Sequence, residues 1–186
     1  MIKFIKITLV EILEIIFIFI FVFLPIRLFI FEPFIVIGES MEPNFHNTDY
    51  LVICKICTKI KSPERGEVIV FKPPVDEKKY YIKRVIALPG EEIEIKDNKV
   101  YIYNKNFNKK FVLKEPYLEN KNFYLEDMEK IKLKDDEYFV MGDNREQSFD
   151  SRKWGPLKKD KITGKVLFKI SFLGNLIKII KFNNLG

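Results

Sequence analysis

Phe34-Ile35-Val36-Ile37-Gly38-Glu39-Ser40-Met41-Glu42-Pro43 is the stretch on which the reading of the chain turns. Its first four residues are uninterrupted apolar side chains, the mark of a short buried strand. Gly38 and Pro43 punctuate the end of that run, so Ser40 falls where a strand turns out into a loop. A serine so placed is exposed enough to react and held firmly enough to be aimed. The same stretch also fits an ordinary turn serine, and only the surrounding chain separates the two.

Upstream lies a long hydrophobic segment. From about Ile12 to Phe31 the residues are almost all Ile, Phe, Leu and Val, with Glu11 and Glu14 at one end and Arg27 at the other. The unbroken part, Ile15 to Ile26, is 12 residues and contains Pro25. With its flanks the segment approaches the roughly 20 residues that a bilayer requires. A cleavable signal would end in small residues of the A-x-A type. The residues that follow are instead Arg27-Leu28-Phe29-Ile30-Phe31-Glu32-Pro33, so the segment reads as an uncleaved membrane anchor. Lys3 and Lys6 precede it and Glu32 follows it, which predicts an inner N-terminus and an outer C-terminal part. The expected division is residues 1–32 as a cytoplasmic tip and transmembrane anchor, and 33–186 as an outer domain.

Downstream the pattern is that of strands. Tyr50-Leu51-Val52-Ile53-Cys54-Lys55-Ile56-Cys57, Gly66-Glu67-Val68-Ile69-Val70-Phe71 and Tyr80 to Ala87 read as strands, rich in β-branched and aromatic residues. Glu92-Ile93-Glu94-Ile95 and Val100-Tyr101-Ile102-Tyr103, joined through Asp97-Asn98, form a hairpin signature. Glu137 to Met141 and Val166-Leu167-Phe168 are further strands, and the apolar tail from Leu173 to Phe182 reads as a final core strand. Residues 104–134 are polar and rich in Asn and Lys, with weak strand signals near Phe111-Val112-Leu113, and read as an irregular insertion. The fold class is therefore mainly β: an N-terminal transmembrane helix, then an irregular antiparallel β domain with an inserted polar β/loop region.

Composition narrows the function. The net charge is +6, but lysines are scattered among Glu and Asp and form no basic stripe. That pattern argues against a nucleic-acid partner and fits a solvated surface beside an anionic bilayer. Cys54 and Cys57 form a C-x-x-C pair with no second pair, and His46 is the one histidine, so no metal site is expected. The pair sits in a strand-like run. Residues three apart on a strand point to opposite faces, which opposes a disulfide, so both are expected to be packing thiols.

A nucleophilic Ser40 needs a base. His46 is six residues away in the same polar loop and would have to fold back on it, so it reads as a surface histidine. A lysine serves only if burial lowers its pKa. Lys83 interrupts a strand between Tyr81-Ile82 and Val85-Ile86. Arg84 beside it must point to the opposite face, and pattern alone does not say which of the two faces inward. A second polar constellation, Gly142-Asp143-Asn144-Arg145-Glu146-Gln147-Ser148-Phe149-Asp150-Ser151-Arg152, packs acids, arginines and hydroxyls into eleven positions. That density suits a fixed ion-pair network, and also a polar surface loop with incidental salt bridges.

Taken in order, these pieces resemble the bacterial type I signal peptidases, membrane-bound Ser/Lys endopeptidases. The carrying stretches are Phe31-Glu32-Pro33-Phe34, Gly38 to Pro43, Arg65-Gly66-Glu67-Val68-Ile69-Val70-Phe71, Tyr81-Ile82-Lys83-Arg84 with Leu88-Pro89-Gly90, and Gly142 through Arg152. The resemblance implies Ser40 as nucleophile and Lys83 as general base. It implies Ser148 as the hydroxyl that orients the lysine amine, with Asp150, Arg152, Asp143 and Arg145 holding the site. Met41 corresponds to the floor of the cleft. Phe34, Val36, Tyr81 and Ile82 correspond to walls of pockets for small side chains at the first and third positions before the cut. Gly38 departs from the many members that carry a serine there, whose hydroxyl adds to the oxyanion hole. The implied partners are secreted preproteins and membrane lipid, with the translocation machinery a further candidate, and no cofactor is implied. Two other readings are a Ser/His hydrolase using His46 and a membrane-anchored binding module without activity.

Overall fold

The computed structural model describes residues 8–104, 109–118, 123–173 and 176–181. Leu9–Ile30 is one helical segment of 22 residues, long and apolar enough to cross a membrane. It begins as an α-helix, α1 (Leu9–Ile18), and continues with wider π-helical turns at Phe19–Phe23 and Ile26–Ile30. Thr8 and Glu11 close its start as a reciprocal capping box. Pro25, which cannot donate a backbone hydrogen bond, lies between the two wide turns, where the usual ladder is interrupted. None of the helical residues in these three stretches is buried against protein. At 1.5 Å per residue such a helix spans about 33 Å, close to the thickness of a hydrocarbon core.

The helix runs straight into strand β1 (Phe31–Ile35), which pairs antiparallel with β2 (Tyr50–Cys54). The larger sheet has eight strands. Its path is β1-β2-β11-β3-β4-β9-β10, with β3 (Val68–Phe71), β4 (Tyr81–Ala87), β9 (Glu137–Met141), β10 (Leu157–Lys158) and β11 (Ile162–Leu173). The twelve-residue β11 is the spine of that sheet. It carries β2 along one edge and, on the other, β3 followed by β12 (Leu176–Lys181). The second sheet has four strands in the order β7-β6-β5-β8: β5 (Glu92–Lys96), β6 (Lys99–Asn104), β7 (Lys109–Val112) and β8 (Met128–Lys132). The β5–β6 turn at Asp97-Asn98 has positive φ at both residues, as a tight primed hairpin turn demands.

Alternation along the strands builds three cores. Val68 and Val70 pack with Val36, Met41, Phe45, Leu51 and Ile53, while Ile69 and Phe71 on the opposite face pack with Val85, Tyr138, Val140 and Leu157. The third core joins the ends of β4 and β9 to the inner face of the second sheet, through Ile86, Ala87, Ile93, Ile95, Val100, Ile102 and Phe139. Because β3 and β4 are covered on both faces, Lys83 and Arg84 are both buried, at 3% and 2% exposure. The expectation that only one of them faces inward fails for this reason.

Two other expectations are corrected and a third is made definite. Within the inserted polar β/loop region, the described residues 109–118 and 123–134 supply β7 and β8, the outer strands of the second sheet, while 105–108 and 119–122 lie outside the described residues. The tail does form a strand, but along an edge, and Lys178, Ile179 and Lys181 are exposed, so it is not a core strand. Cys54 and Cys57 form a disulfide. The strand ends at Cys54 and a turn leads to the short helix α2 (Cys57–Ile60), so strand alternation does not govern the pair.

Candidate active site

Ser40 lies in the loop between β1 and β2. Gly38, at φ +98°, starts the loop in a region that side chains avoid, and its N–H donates to Asn47 Oδ1 at 3.1 Å. Below, Phe45 and Met41 plug the loop into the core at 0% and 1% exposure. Asn144 fastens it from across the cleft: its N–H donates to the Ser40 carbonyl at 3.1 Å and its Nδ2 to the Glu39 carbonyl at 3.1 Å. Gly142 makes that approach possible, because a Cβ there would collide with the Ser40 carbonyl oxygen and with Ser148 Oγ. Among the described residues, the Ser40 N–H has no main-chain partner.

Strand β4 brings Lys83 to the same place. Its Nζ stands 2.7 Å from Ser40 Oγ and 2.9 Å from the Ile82 carbonyl oxygen. Among the described residues, no carboxylate pairs with it. Burial penalises the ammonium form, and the Lys83 pKa falls from 10.5 to about 8, although Asp150 and Asp143 pull it upward. An amine of that kind is neutral often enough near neutral pH to accept a proton.

The Gly142–Arg152 segment is a fixed network. Asp143 binds the Arg84 guanidinium through two contacts of 2.8 and 2.5 Å and accepts from Asn44 Nδ2 at 2.9 Å. Asp150, fully buried, accepts from the Gly142 N–H at 2.9 Å and from Arg152 Nε and Nη2, each at 2.8 Å. Burial alone would raise the Asp150 pKa, but the Arg152 hydrogen bonds and charge outweigh it and hold the carboxyl below its usual value. Arg145 donates to the Gly142 carbonyl and pairs with Glu115. Ser148 also helps to hold the Asp150 carboxyl down, yet its buried Oγ makes no hydrogen bond of good geometry. It makes no hydrogen bond to Lys83.

Ser40 and Lys83 open into a cleft of about 680 Å³. Phe34, Val36, Gly38, Tyr81 and Ile82 line it, joined by Ile35, Ile37, Tyr80, Gln147 and Phe149. Met41 lies beneath, in the core. His46 is turned away: its side chain is 59% exposed and its ring faces Asp49 at 3.8 Å.

Residues 9–171 match the family described as signal peptidase, peptidase S26. The chain belongs to the signal peptidase family. A probable signal peptidase I-2 of Synechocystis is 34% identical over 149 residues, 77% of this chain and 65% of that protein. Signal peptidase I P of Bacillus subtilis subsp. natto is 40% identical over 130 residues, 68% of this chain and 69% of its own length. Signal peptidase I of Bacillus amyloliquefaciens is 35% identical over 142 residues, 75% of each chain. The chain thus spans about two thirds to three quarters of the length of these signal peptidases.

Three residues that hold this cleft together were not singled out from sequence. Asn44 bridges the Ser40 loop to Asp143 and to the Tyr117 carbonyl, and Asn144 anchors the loop backbone. Lys169 on β11 donates to the Asn44 carbonyl at 2.6 Å and pairs with Asp49 at 3.5 Å. Lys169 did carry a signal: it interrupts the apolar run Val166-Leu167-Phe168-Lys169-Ile170 much as Lys83 interrupts its own.

Proposed function

We propose that this chain removes N-terminal signal peptides from secreted preproteins with Ser40 as nucleophile and Lys83 as general base. The observation that carries the reading is the 2.7 Å contact between Lys83 Nζ and Ser40 Oγ, made by a lysine that is 3% exposed and, among the described residues, has no carboxylate partner. An extended substrate segment adds along the backbone that lines the cleft, with small side chains entering between Phe34, Val36, Tyr81 and Ile82. Neutral Lys83 takes the Ser40 proton as Oγ bonds to the scissile carbonyl carbon. The oxyanion that forms accepts from the Ser40 N–H. Lys83 then passes its proton to the leaving amine as the C–N bond breaks, leaving an acyl-enzyme. A water, deprotonated by the same amine, attacks the ester and frees Ser40.

The supporting roles follow from the network. Asp150 and Arg152 hold the Ser148 segment, Asp143 and Arg145 hold the turn at Gly142, and Ser148 is the hydroxyl that steadies the amine once substrate fills the cleft. The segment 1–32 anchors the enzyme in a bacterial cytoplasmic membrane with its N-terminus inside. Residues 33–186 then work on the outer face, where translocation machinery delivers preproteins. Purified protein in detergent should cut a model preprotein after a small residue, and Ser40→Ala and Lys83→Ala should each abolish the cut while His46→Ala leaves it intact. Cleavage at the parent rate by either of the first two variants would refute the assignment.

A further inference from the structure

The Cys54–Cys57 turn takes no part in this chemistry, yet it touches the end of the membrane helix. The last carbonyls of a helix have no partner within it. Here one residue serves two of them: the Lys55 N–H donates to the Ile30 carbonyl at 2.8 Å, and Lys55 Nζ to the Leu28 carbonyl at 3.0 Å. The same ammonium meets Glu32 at 3.3 Å, just beyond the helix. Unsatisfied carbonyls are costly where lipid displaces water, and a cation is favoured at a helix C-terminus. The disulfide closes a loop around only Lys55 and Ile56, so it holds that lysine in place. Cys54 itself lies opposite Phe31, the first residue of β1. Strand β1 leads without a linker from the helix to Phe34 and Ile35 in the wall of the cleft.

We propose that Lys55, held by the Cys54–Cys57 disulfide, is the joint that fixes the catalytic sheet on the membrane helix and so sets where the cleft stands for substrates that arrive in the membrane. Lys55 is a positioning residue, remote from the reacting atoms. A tilt of the helix against β1 would leave Ser40 and Lys83 together but move the cleft relative to the bilayer. The inference rests on the reading that Leu9–Ile30 spans the membrane and that the enzyme cuts preproteins.

The test uses the full chain in liposomes with two substrates: a soluble peptide carrying the cut site, and a preprotein whose signal peptide is inserted in the same bilayer. Lys55→Met, and separately the double variant Cys54→Ser, Cys57→Ser, should cut the soluble peptide as the parent does. Each should cut the inserted preprotein about tenfold more slowly, and Lys55→Arg should restore most of the rate. A parallel fall on both substrates means a general structural role and overturns the joint. No change on either substrate for Lys55→Met overturns it as well. A selective loss for Lys55→Met but not for the cysteine double variant overturns the part given to the disulfide. A parent inactive on both substrates instead overturns the proposed function, and the joint with it.

Discussion

Lys83 and Lys169 are both buried, at 3% and 5% exposure, and both reach the loop that carries Ser40. Lys83 meets a hydroxyl and a carbonyl oxygen, with no ion-pair partner among the described residues. Lys169 meets the Asn44 carbonyl and the carboxylate of Asp49, beside the ring of Phe45. One sits in the wall of an open cleft and the other under the loop, between β11 and the core. Both side chains come from strands of one sheet, and the difference lies in the counter-charge. A buried ammonium with a carboxylate is scaffold, whereas one left without it gives up its proton readily and becomes available for chemistry.

The largest effect should come from breaking the Lys83 side of this comparison. Lys83→Met should lower single-turnover cleavage by about 10³-fold or more, the scale of a lost general base. It should also remove a stability penalty. Below pH 8 both the native and the unfolded chain hold the Lys83 proton, and the native state bears the cost of burying it. Between about 8 and 10.5 the unfolded chain still holds that proton while the native state has released it, so rising pH favours the native state. Denaturant titrations should therefore show the parent gaining roughly 3 kcal/mol on Lys83→Met across that window. A difference between the two that does not vary with pH would mean that burial has not shifted the lysine.

Lys169→Met should act in the opposite sense, costing roughly 3 kcal/mol of stability because the buried Asp49 keeps the His46 N–H but loses its ammonium. The catalytic rate per folded molecule should fall less than it does for Lys83→Met. Urea melts and active-site titration read the two quantities separately, and an unchanged melt would remove the scaffold role of Lys169.

The smallest effect concerns the backbone of the same loop. Thr48 is held at φ 73°, costly for a β-branched residue, while its N–H donates to the Val36 carbonyl. Thr48→Gly should keep that bond and raise stability by about 1 kcal/mol at unchanged activity. A loss of stability would show that the threonine side chain contributes more than its backbone costs.

Much of this comparison could be read before any coordinates. The apolar run at Ile15–Ile26 and the β-branched stretches at Val68–Phe71 and Tyr81–Ala87 have strong local periodicity, and they became the membrane-length helix, β3 and β4. Ser40 and Lys83 were legible as a residue pair, but not their distance, since 43 positions separate them and only the sheet brings them together. The Cys54–Cys57 disulfide was misread because a strand was extended three residues too far, and helix starts are hard to see in a four-residue helix. The strand at residues 109–112 left only a weak signal near Phe111-Val112-Leu113, and that at 128–132 none, because both are outer strands of a small sheet, rich in lysine and with little apolar alternation. Asn44 left no mark in the local pattern, and Asn144 was legible only as one member of the Gly142–Arg152 stretch without a role, because their partners lie in distant loops.

The proposed chemistry depends most on Lys83 releasing its proton near pH 8, well below the ordinary lysine value, while it faces Ser40. The pH dependence of kcat/KM on a soluble peptide substrate reports the free enzyme's base directly. The rate should climb with pH through a midpoint near 8 and then level off. A midpoint at the ordinary lysine value of 10.5, or a rate indifferent to pH, would contradict it.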